Sequence, residues 1–328
     1  MKLAIDGGRP VRREPFPLYN SIGPEEKRAA LEVLDSGILS DFVGAESPLF
    51  EGGPRVRRFE EEWAARFGVR RAVSVNSATS ALIAAVAACG VGPGDEVIVP
   101  PYTLSATAAS VRLCGAKPVF ADIEPRTFCL DPAAARRALT PRTKAIIAVD
   151  LFGQAADWEP LRSLAGRRGL RLIEDASQAP GASYRGRPCG AWADIGVFSL
   201  NCHKHIQTGE GGLAVTDDED LARRLLLLRN HGENVVSADA PRSLRGLVGF
   251  NFRLTELGAA IGSEQLKKLS SFNRERQDRA AYLNERLSRF PGIEIPALRP
   301  GCDHVFYLQP FLLDPARIKM SRDRFVDA

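Results

Sequence analysis

Residues 195–216 read IGVFSLNCHKHIQTGEGGLAVT. The runs of aliphatic and β-branched residues at the two ends of this stretch predict two buried strands. Lys204 lies between them, flanked by His203 and His205 and followed by a glycine-rich turn. Only 8 of the 44 basic residues of the chain are lysines. Because an amine can lose its proton and attack a carbonyl, whereas a guanidinium cannot, Lys204 is a candidate nucleophile.

The alternation of strand and helix patterns extends over residues 72–216. Strands are predicted at 72–75, 96–99, 118–123, 145–150, 170–175, 195–200 and 212–216. Helices are predicted at 79–89, 105–114, 133–139 and 158–168, with a loop at 176–192. This alternation is typical of an α/β fold with a mainly parallel sheet covered by helices on both faces. Ligands of such sheets bind at the carboxyl ends of the strands.

The segments on either side of this unit complete the predicted organisation. Helices are predicted at 24–36, 56–67, 222–229, 255–269 and 273–290, and a polar loop near 237–245. We expect residues 1–265 to form an N-terminal arm and a large domain, and residues 266–328 to begin a smaller C-terminal α+β domain. The final SRDRFVDA has Ser321 as a candidate N-cap of a short helix. We therefore expect that a C-terminal part of the small domain is missing from the sequence.

Composition and charge disfavour several classes of protein. The net charge of +4 is spread along 328 residues without a long basic run, which argues against nucleic acid and anionic membranes as partners. The longest apolar stretch, residues 81–91, is too short to cross a bilayer, and the first residues contain no apolar signal segment. The six cysteines lack metal-ligand spacing. We expect a cytoplasmic protein with reduced thiols.

Polar residues follow the predicted strands at the carboxyl edge of the sheet. Asp175 ends one strand, and Ser199 ends another just before Lys204. The segment NSAT at residues 76–79 joins a strand to a helix through small residues, which leaves backbone N–H groups directed at a potential anion. An amine, a buried carboxylate and a phosphate cradle at one edge suggest a site for pyridoxal phosphate.

Each of these signals also has a simpler structural explanation. A strand-end aspartate is often a cap or an ion-pair partner, NSAT alone is an ordinary helix start, and a lone lysine is usually a solvated surface group. A His-x-His pair suggests a metal, but the lysine between the two histidines and the lack of a suitably spaced carboxylate argue against a metal site. The order and spacing of the three signals together favour the cofactor site.

A long motif in the middle of the chain is EDASQAPGASYRGRPCGAWADIGVFSLNCHKHIQTGEGGLAVTDD. Segments before and after it include GPEEKRAALEVLDSGILSD, VNSATSAL, GVGPGDEVIVPPYTLSATA, LLRNHGE and NFRLTELGAAIGSEQLKKL. Through these segments the chain resembles the DegT/DnrJ/EryC1/StrS family of aminotransferases. These matches occur in one order over almost the whole chain. The resemblance implies the fold of the fold-type I pyridoxal phosphate enzymes and amination of keto-sugars or cyclitol ketones.

The resemblance also implies roles for residues around the cofactor ring. Lys204 matches the lysine that binds the cofactor aldehyde as a Schiff base and then moves the proton during transamination. Asp175 matches the aspartate that pairs with the pyridine nitrogen, and Gln178 matches the residue beside the phenolic oxygen. Leu104 occupies a position where the family often has an aromatic residue that stacks on the ring. His203 stands where the family often has a small or polar residue, and we expect His203 and His205 to pack or to line the substrate pocket.

Further matches concern the cofactor phosphate and the assembly. Ser199 and the turn at Ala78 and Thr79 match the phosphate contacts of the family. Asn251 matches an asparagine that reaches the phosphate of the neighbouring subunit, so the resemblance implies a homodimer with shared active sites.

The implied function is transfer of an amino group from L-glutamate or L-glutamine to a keto-sugar, nucleotide-linked, or to a cyclitol ketone. The kinetics should be ping-pong. One alternative is a non-catalytic regulator or degenerate partner subunit that keeps the fold. Another is a sugar dehydratase, a branch of the family in which histidine replaces the lysine; the lysine at position 204 favours transamination.

Overall fold

A computed structural model describes residues 2–236, 244 and 247–328. The polar loop predicted near 237–245 lies, apart from residue 244, outside the described residues. The helices are α1 (Pro24–Ser36), α2 (Pro54–Phe67), α3 (Ala78–Ala88), α4 (Ala106–Leu113), α5 (Pro132–Arg137), α6 (Trp158–Arg168), α7 (Glu219–Arg229), α8 (Glu256–Leu287) and α9 (Arg322–Asp327). The strands are β1 (Arg71–Val75), β2 (Glu96–Val99), β3 (Lys117–Phe120), β4 (Thr143–Val149), β5 (Arg171–Asp175), β6 (Ser183–Tyr184), β7 (Arg187–Pro188), β8 (Ile195–Ser199), β9 (Gly212–Thr216), β10 (Ile293–Glu294), β11 (Cys302–Asp303) and β12 (Leu312–Leu313).

Seven strands form the central sheet, in the order β1-β9-β8-β5-β4-β2-β3. The ladder from β8 through β5, β4 and β2 to β3 is parallel, whereas β9 runs antiparallel to both β1 and β8. This topology confirms the predicted mainly parallel, seven-stranded α/β fold. The parallel strands β4, β5 and β8 are neighbours, so their carboxyl ends lie at one edge of the sheet.

Helices cover both faces of the sheet. Buried residues of α3, α4 and α7 pack on one face, and those of α2, α5, α6 and α8 pack on the other. The core on the face covered by α2, α5, α6 and α8 contains the rings of Trp63, Phe67 and Phe198, whose centroids lie 4.7 to 5.1 Å apart. Each large apolar side chain fully buried in this way contributes about 1.5–3 kcal/mol. Gly190 has φ 90°, and a Cβ there would clash with the Phe198 ring, so the core requires glycine.

The region after the sheet differs from the prediction in one helix. Two helices were predicted at 255–269 and 273–290, but α8 is continuous over 32 residues. The intervening LSSFN contains no glycine or proline to interrupt the helix. Asn273 donates from Nδ2 to the Pro180 carbonyl at 2.9 Å, outside the helix backbone, whereas its Oδ1 is buried without a partner among the described residues. The predicted division at residue 265 falls within α8 and stays a prediction.

The C-terminal residues pack back onto the large sheet unit. Strand β11 pairs with β6, which belongs to a hairpin inside the segment predicted as a loop, and β10 pairs with β12. The Val305 N–H donates to the Gly153 carbonyl at 3.0 Å. This contact brings residues 304–308 over the loop that follows β4. None of the helices in the described part of the chain is long and apolar enough to cross a membrane.

Candidate active site

The carboxyl edge of the sheet carries the acidic residues of the candidate site. Asp175 is the last residue of β5 and pairs in register with Val149 of β4 and with Val197 of β8. Ser199 ends β8 two residues further along and is 6% exposed, as is Asp175. The structure therefore brings Asp175 and Ser199 to one edge, as the strand pattern predicted.

The amino terminus of α3 lies beside Ser199. Ser77 caps this helix, because its Oγ accepts the Ser80 N–H at 3.1 Å. The N–H groups of Ala78 and Thr79 occupy the first two helical positions, which have no acceptor within a helix. Gly212 pairs with Ser199, and a Cβ on Gly212 would lie 2.6 Å from the Ala78 nitrogen. Only glycine at 212 lets the strand approach this cradle so closely.

Lys204 lies in the turn between β8 and β9. Its backbone N–H donates to the Asn201 carbonyl at 2.9 Å, and its Nζ lies 4.3 Å from the centre of the Tyr307 ring. Burial lowers the pKa of the Lys204 amine, and the Asp175 carboxylate partly opposes this shift. A buried amine with a lowered pKa is more often neutral near pH 7, which is the form that acts as a nucleophile or base.

Asp175 has little compensation for its buried charge. Its Oδ1 accepts the Ser177 N–H at 3.1 Å, and no salt bridge among the described residues includes it. Burial raises the pKa of this carboxyl, against the opposing effects of Ser177 and Lys204. A cationic group bound in front of Asp175 would supply the missing partner.

Gln178 is partly buried, whereas Leu104 is exposed. The Gln178 Oε1 accepts the Phe152 N–H at 2.7 Å, which fixes the side chain against the loop after β4. Leu104 is 71% exposed, so its side chain is free to contact a ligand. The rings of Tyr102, Phe128 and Phe152 form a cluster with centroids 5.6 to 6.2 Å apart. Tyr102 connects this cluster to the loop that carries Leu104.

Asn251 lies near the cradle through its backbone. Its carbonyl is 3.5 Å from Asn76 Nδ2, and the Asn76 N–H donates to the adjacent Phe252 carbonyl at 2.8 Å. Its side chain is exposed. Asn251 is thus held beside the segment NSAT with its amide available to another molecule.

The two histidines beside Lys204 have different environments. His203 is exposed, whereas His205 is fully buried and its Nε2 lies 3.1 Å from the Val305 carbonyl. Since a carbonyl only accepts, Nε2 carries the proton, and burial lowers the pKa of His205 to about 3. His205 therefore packs as a neutral ring that holds the C-terminal segment over Lys204.

The model of the DegT/DnrJ/EryC1/StrS aminotransferase family matches residues 23–328. The chain belongs to this family. Membership confirms the predicted fold and activity class, that of a transaminase. Membership of the DegT/DnrJ/EryC1/StrS aminotransferase family implies pyridoxal phosphate as the cofactor.

Two relatives and one solved structure illustrate the similarity within the family. The L-glutamine:2-deoxy-scyllo-inosose aminotransferase of Streptoalloteichus tenebrarius is 41% identical over 91% of this chain and 71% of that protein. The GDP-perosamine synthase of Caulobacter vibrioides is 40% identical over 84% of this chain and 73% of that protein. The structure of DesI in the presence of its TDP-sugar product is 33% identical with a TM-score of 0.87, and covers 99% of this chain and 79% of that one.

Three residues near the site, Tyr307, Asp150 and Glu174, were not among those predicted from the sequence. Tyr307 lies more than 100 residues from Lys204 and reaches it only because the C-terminal segment folds back. Asp150 and Glu174 had a detectable signal, since both stand at the ends of predicted strands next to other candidates. Their mutual contact depends on the register of β4 and β5, which sequence does not supply.

Proposed function

We propose that the chain transfers an amino group from L-glutamine or L-glutamate to a cyclitol ketone or a nucleotide-linked keto-sugar, with pyridoxal phosphate as cofactor. The observation that carries the proposal is the juxtaposition of a partly buried amine of lowered pKa, Lys204, with the buried carboxylate Asp175, which has no salt bridge among the described residues, beside the Ala78–Thr79 cradle. The names of the two relatives support the choice of donor and acceptor classes.

The described residues fit this cofactor. Asp175 is buried without a cationic partner in contact, and a protonated pyridine nitrogen is such a partner. The N–H groups of Ala78 and Thr79 and the Ser199 hydroxyl offer hydrogen bonds to a phosphate dianion. Gln178 holds a position on the loop directly after Asp175, and Leu104 presents an apolar side chain to a ring face. These residues therefore offer partners for the phosphate, the pyridine nitrogen and the phenolic oxygen of the cofactor.

Bound pyridoxal phosphate supplies an aldehyde that takes up an amino group and a ring that draws electrons from the carbon being deprotonated. Lys204 would hold that aldehyde, and its free amine would move a proton at the substrate carbon as a neutral base. Its lowered pKa favours the neutral form. Asp175 would stabilise the protonated ring nitrogen, and Tyr307 covers the amine on one side. The kinetics should be ping-pong, because the donor product leaves before the ketone binds.

The proposed assembly is a homodimer in which Asn251 contributes to the site of the second copy. Asn251 has an exposed side chain beside the cradle, and the N-terminal arm exposes Val11, Phe16 and Leu18. Exposed apolar side chains close in sequence are typical of a surface covered by another chain. The mass of the protein in solution tests this assembly, and a monomer that retains full cofactor and activity contradicts it.

The proposed reaction is tested by absorption spectroscopy. The purified protein with pyridoxal phosphate should show the absorbance of covalently bound cofactor. L-Glutamine or L-glutamate should bleach this absorbance, and a ketone such as 2-deoxy-scyllo-inosose should restore it. D-Glutamine serves as the control that should cause no change. A bound cofactor that is indifferent to both L-donors would contradict the aminotransferase assignment for this chain.

A further inference from the structure

Two buried carboxyl groups face each other behind Asp175. Asp150 follows β4, and Glu174 precedes Asp175 in β5; both side chains are fully buried. Carboxyl oxygens of the two residues and the Cys189 sulfur all lie within 4.8 Å of one another. No salt bridge among the described residues includes either carboxyl. Two ionised carboxylates in such a place would repel each other without compensation.

The hydrogen bonds of the pair show which oxygens lack a partner. Asp150 Oδ1 accepts the Ala156 N–H at 2.8 Å and the Trp158 indole N–H at 3.1 Å. Glu174 Oε2 accepts the Trp192 N–H at 2.8 Å. The remaining oxygens, Asp150 Oδ2 and Glu174 Oε1, are buried and have no donor among the described residues. An unpaired buried carboxyl oxygen is costly, so this arrangement calls for a hydrogen atom between the two groups.

We propose that Asp150 and Glu174 share one proton, and that the resulting hydrogen bond positions Asp175 and Gln178. Two N–H groups donate to Asp150 Oδ1, and the charge on Asp150 disfavours a second charge on Glu174, so the negative charge is better placed on Asp150. Glu174 therefore carries the proton on Oε1 and donates a hydrogen bond to Asp150 Oδ2. This single hydrogen satisfies both orphan oxygens.

The hydrogen bond between Asp150 and Glu174 is one of three hydrogen bonds that connect the carboxyl ends of β4 and β5 and the loops that follow them. The Asp150 N–H donates to the Asp175 carbonyl at 3.0 Å, and the Phe152 N–H donates to Gln178 Oε1 at 2.7 Å. The link between Asp150 and Glu174 lies on the opposite face of β5 from the Asp175 side chain, because successive strand residues alternate. This hydrogen bond therefore holds the carboxyl end of β5 from the face opposite the Asp175 side chain. Its positioning effect on catalysis rests on the proposed function, whereas proton sharing itself does not.

The groups around the pair favour retention of the proton. Three thiols face it, those of Cys129, Cys189 and Cys302, and burial together with the acidic neighbours raises the pKa of each. The guanidinium of the neighbouring loop, Arg299, pairs instead with Asp157 at 3.2 Å. Burial raises the pKa of both Asp150 and Glu174, and the charge on Asp150 raises that of Glu174 further.

The test is infrared spectroscopy of the full chain, with Glu174→Gln as the main variant. A glutamine amide N–H donates to Asp150 Oδ2, while its oxygen keeps the Trp192 N–H, so the fold is preserved without the proton. The control is Glu96→Gln, since the Glu96 carboxylate accepts from Thr140 and Arg142 and has a lowered pKa. We expect the carbonyl stretch of a protonated carboxyl at neutral pH in the wild type and in Glu96→Gln, and its loss in Glu174→Gln.

The pH dependence of unfolding gives a second readout. A raised pKa in the folded state means that folding binds a proton, so stability is greatest below the ordinary glutamate pKa and falls as pH rises through the raised value. The wild type should show this decline in a denaturant series, and Glu174→Gln should show a flatter curve. Glu96→Gln should instead alter the acid side, because the lowered pKa of Glu96 contributes stability that is lost as pH falls.

Turnover separates positioning from mere stability. Glu174→Gln should retain turnover, whereas Glu174→Leu, which leaves Asp150 Oδ2 and the Trp192 N–H unpaired, should lose about tenfold to a hundredfold in kcat at similar KM. The proposal is overturned by the lack of the carbonyl band in the wild type, by its persistence in Glu174→Gln, or by one bound metal ion per chain. If Glu174→Gln does not fold, Asp150→Asn is the second variant: its amide N–H can donate to Glu174 Oε1, so the band should be lost there too, and its persistence would overturn the proposal. A band in a protein without transaminase activity would refute the proposed function alone.

Discussion

The carboxylates at the two ends of the central strands differ in whether they have a cationic partner. At the amino ends, Glu96 pairs with Arg142 at 2.7 Å, and Asp194 pairs with Arg171 at 2.9 Å. At the carboxyl ends, Asp150, Glu174 and Asp175 take part in no salt bridge of the described residues. The pKa of Glu96 is lowered by Thr140 and Arg142, whereas burial raises the pKa values of the three carboxyl-end groups. The same sheet thus has a neutralised end and an uncompensated end.

This difference separates stability from chemistry. The amino-end carboxylates already have cationic partners within the chain and need no ligand to balance their charge. We therefore expect them to contribute to stability and not to catalysis. Uncompensated groups cost stability and are retained where a bound molecule or a proton supplies the missing partner. At the carboxyl end, burial disfavours the charge of the Asp175 carboxylate and that of the Lys204 amine, and the proposed cofactor would supply a cation to Asp175. The division leads to predictions that differ for the two ends.

The largest expected effect is that of Lys204→Ala at the carboxyl end. Loss of the amine that we propose to hold the cofactor aldehyde and act as base should lower kcat by about 10²–10⁴-fold or more. Absorption spectra should also show that cofactor is no longer covalently bound. Lys144→Ala is the matched control, since Lys144 is exposed near the start of β4. An unchanged spectrum in Lys204→Ala would assign the cofactor to a different lysine.

Asp175→Asn should have the next largest effect. An amide cannot stabilise a protonated ring nitrogen, so we expect kcat to fall about 10²–10³-fold, as for other preorganised electrostatic groups. Cofactor content measured by absorbance should stay close to that of the wild type, because the phosphate cradle and Lys204 are intact. The amino-end control Asp194→Asn should leave kcat unchanged. Near-normal turnover in Asp175→Asn would remove Asp175 from the proposed role.

Much of the large unit was predictable because its signals are local. The strand EVIV was predicted at 96–99 and the strand GLAVT at 212–216, and both have these bounds in the structure. Each combines β-branched residues with flanking Gly, Pro or Asp, which makes strands distinct from helices. The position of Asp175, Ser199 and the Ala78 turn at one edge followed from the parallel arrangement, without any knowledge of contacts.

The features that were not predicted from the sequence depend on tertiary contacts between distant residues. Asn273, within the continuous helix α8, donates to the Pro180 carbonyl, about ninety residues away. Tyr307 reaches Lys204 because His205 binds the Val305 carbonyl and Gly153 binds the Val305 N–H. The facing of Asp150 and Glu174 follows from strand register. No periodicity or motif encodes such pairings in a single sequence.

Asp194→Ala should have the smallest effect, and it tests the amino end directly. The substitution removes the acceptor of the Leu172 N–H at 2.7 Å and the ion pair with Arg171. Both side chains are partly exposed, so the free energy of unfolding should fall by only about 1 kcal/mol. Urea unfolding measures this change, with the exposed pair partner Glu285→Ala as a control that should shift stability by no more than a few tenths of a kcal/mol. Because Asp194 neutralises charge far from the cofactor, kcat should be unchanged. A loss of turnover at unchanged stability would mean that the amino ends also influence the chemistry, and the separation between the two ends of the sheet would be wrong.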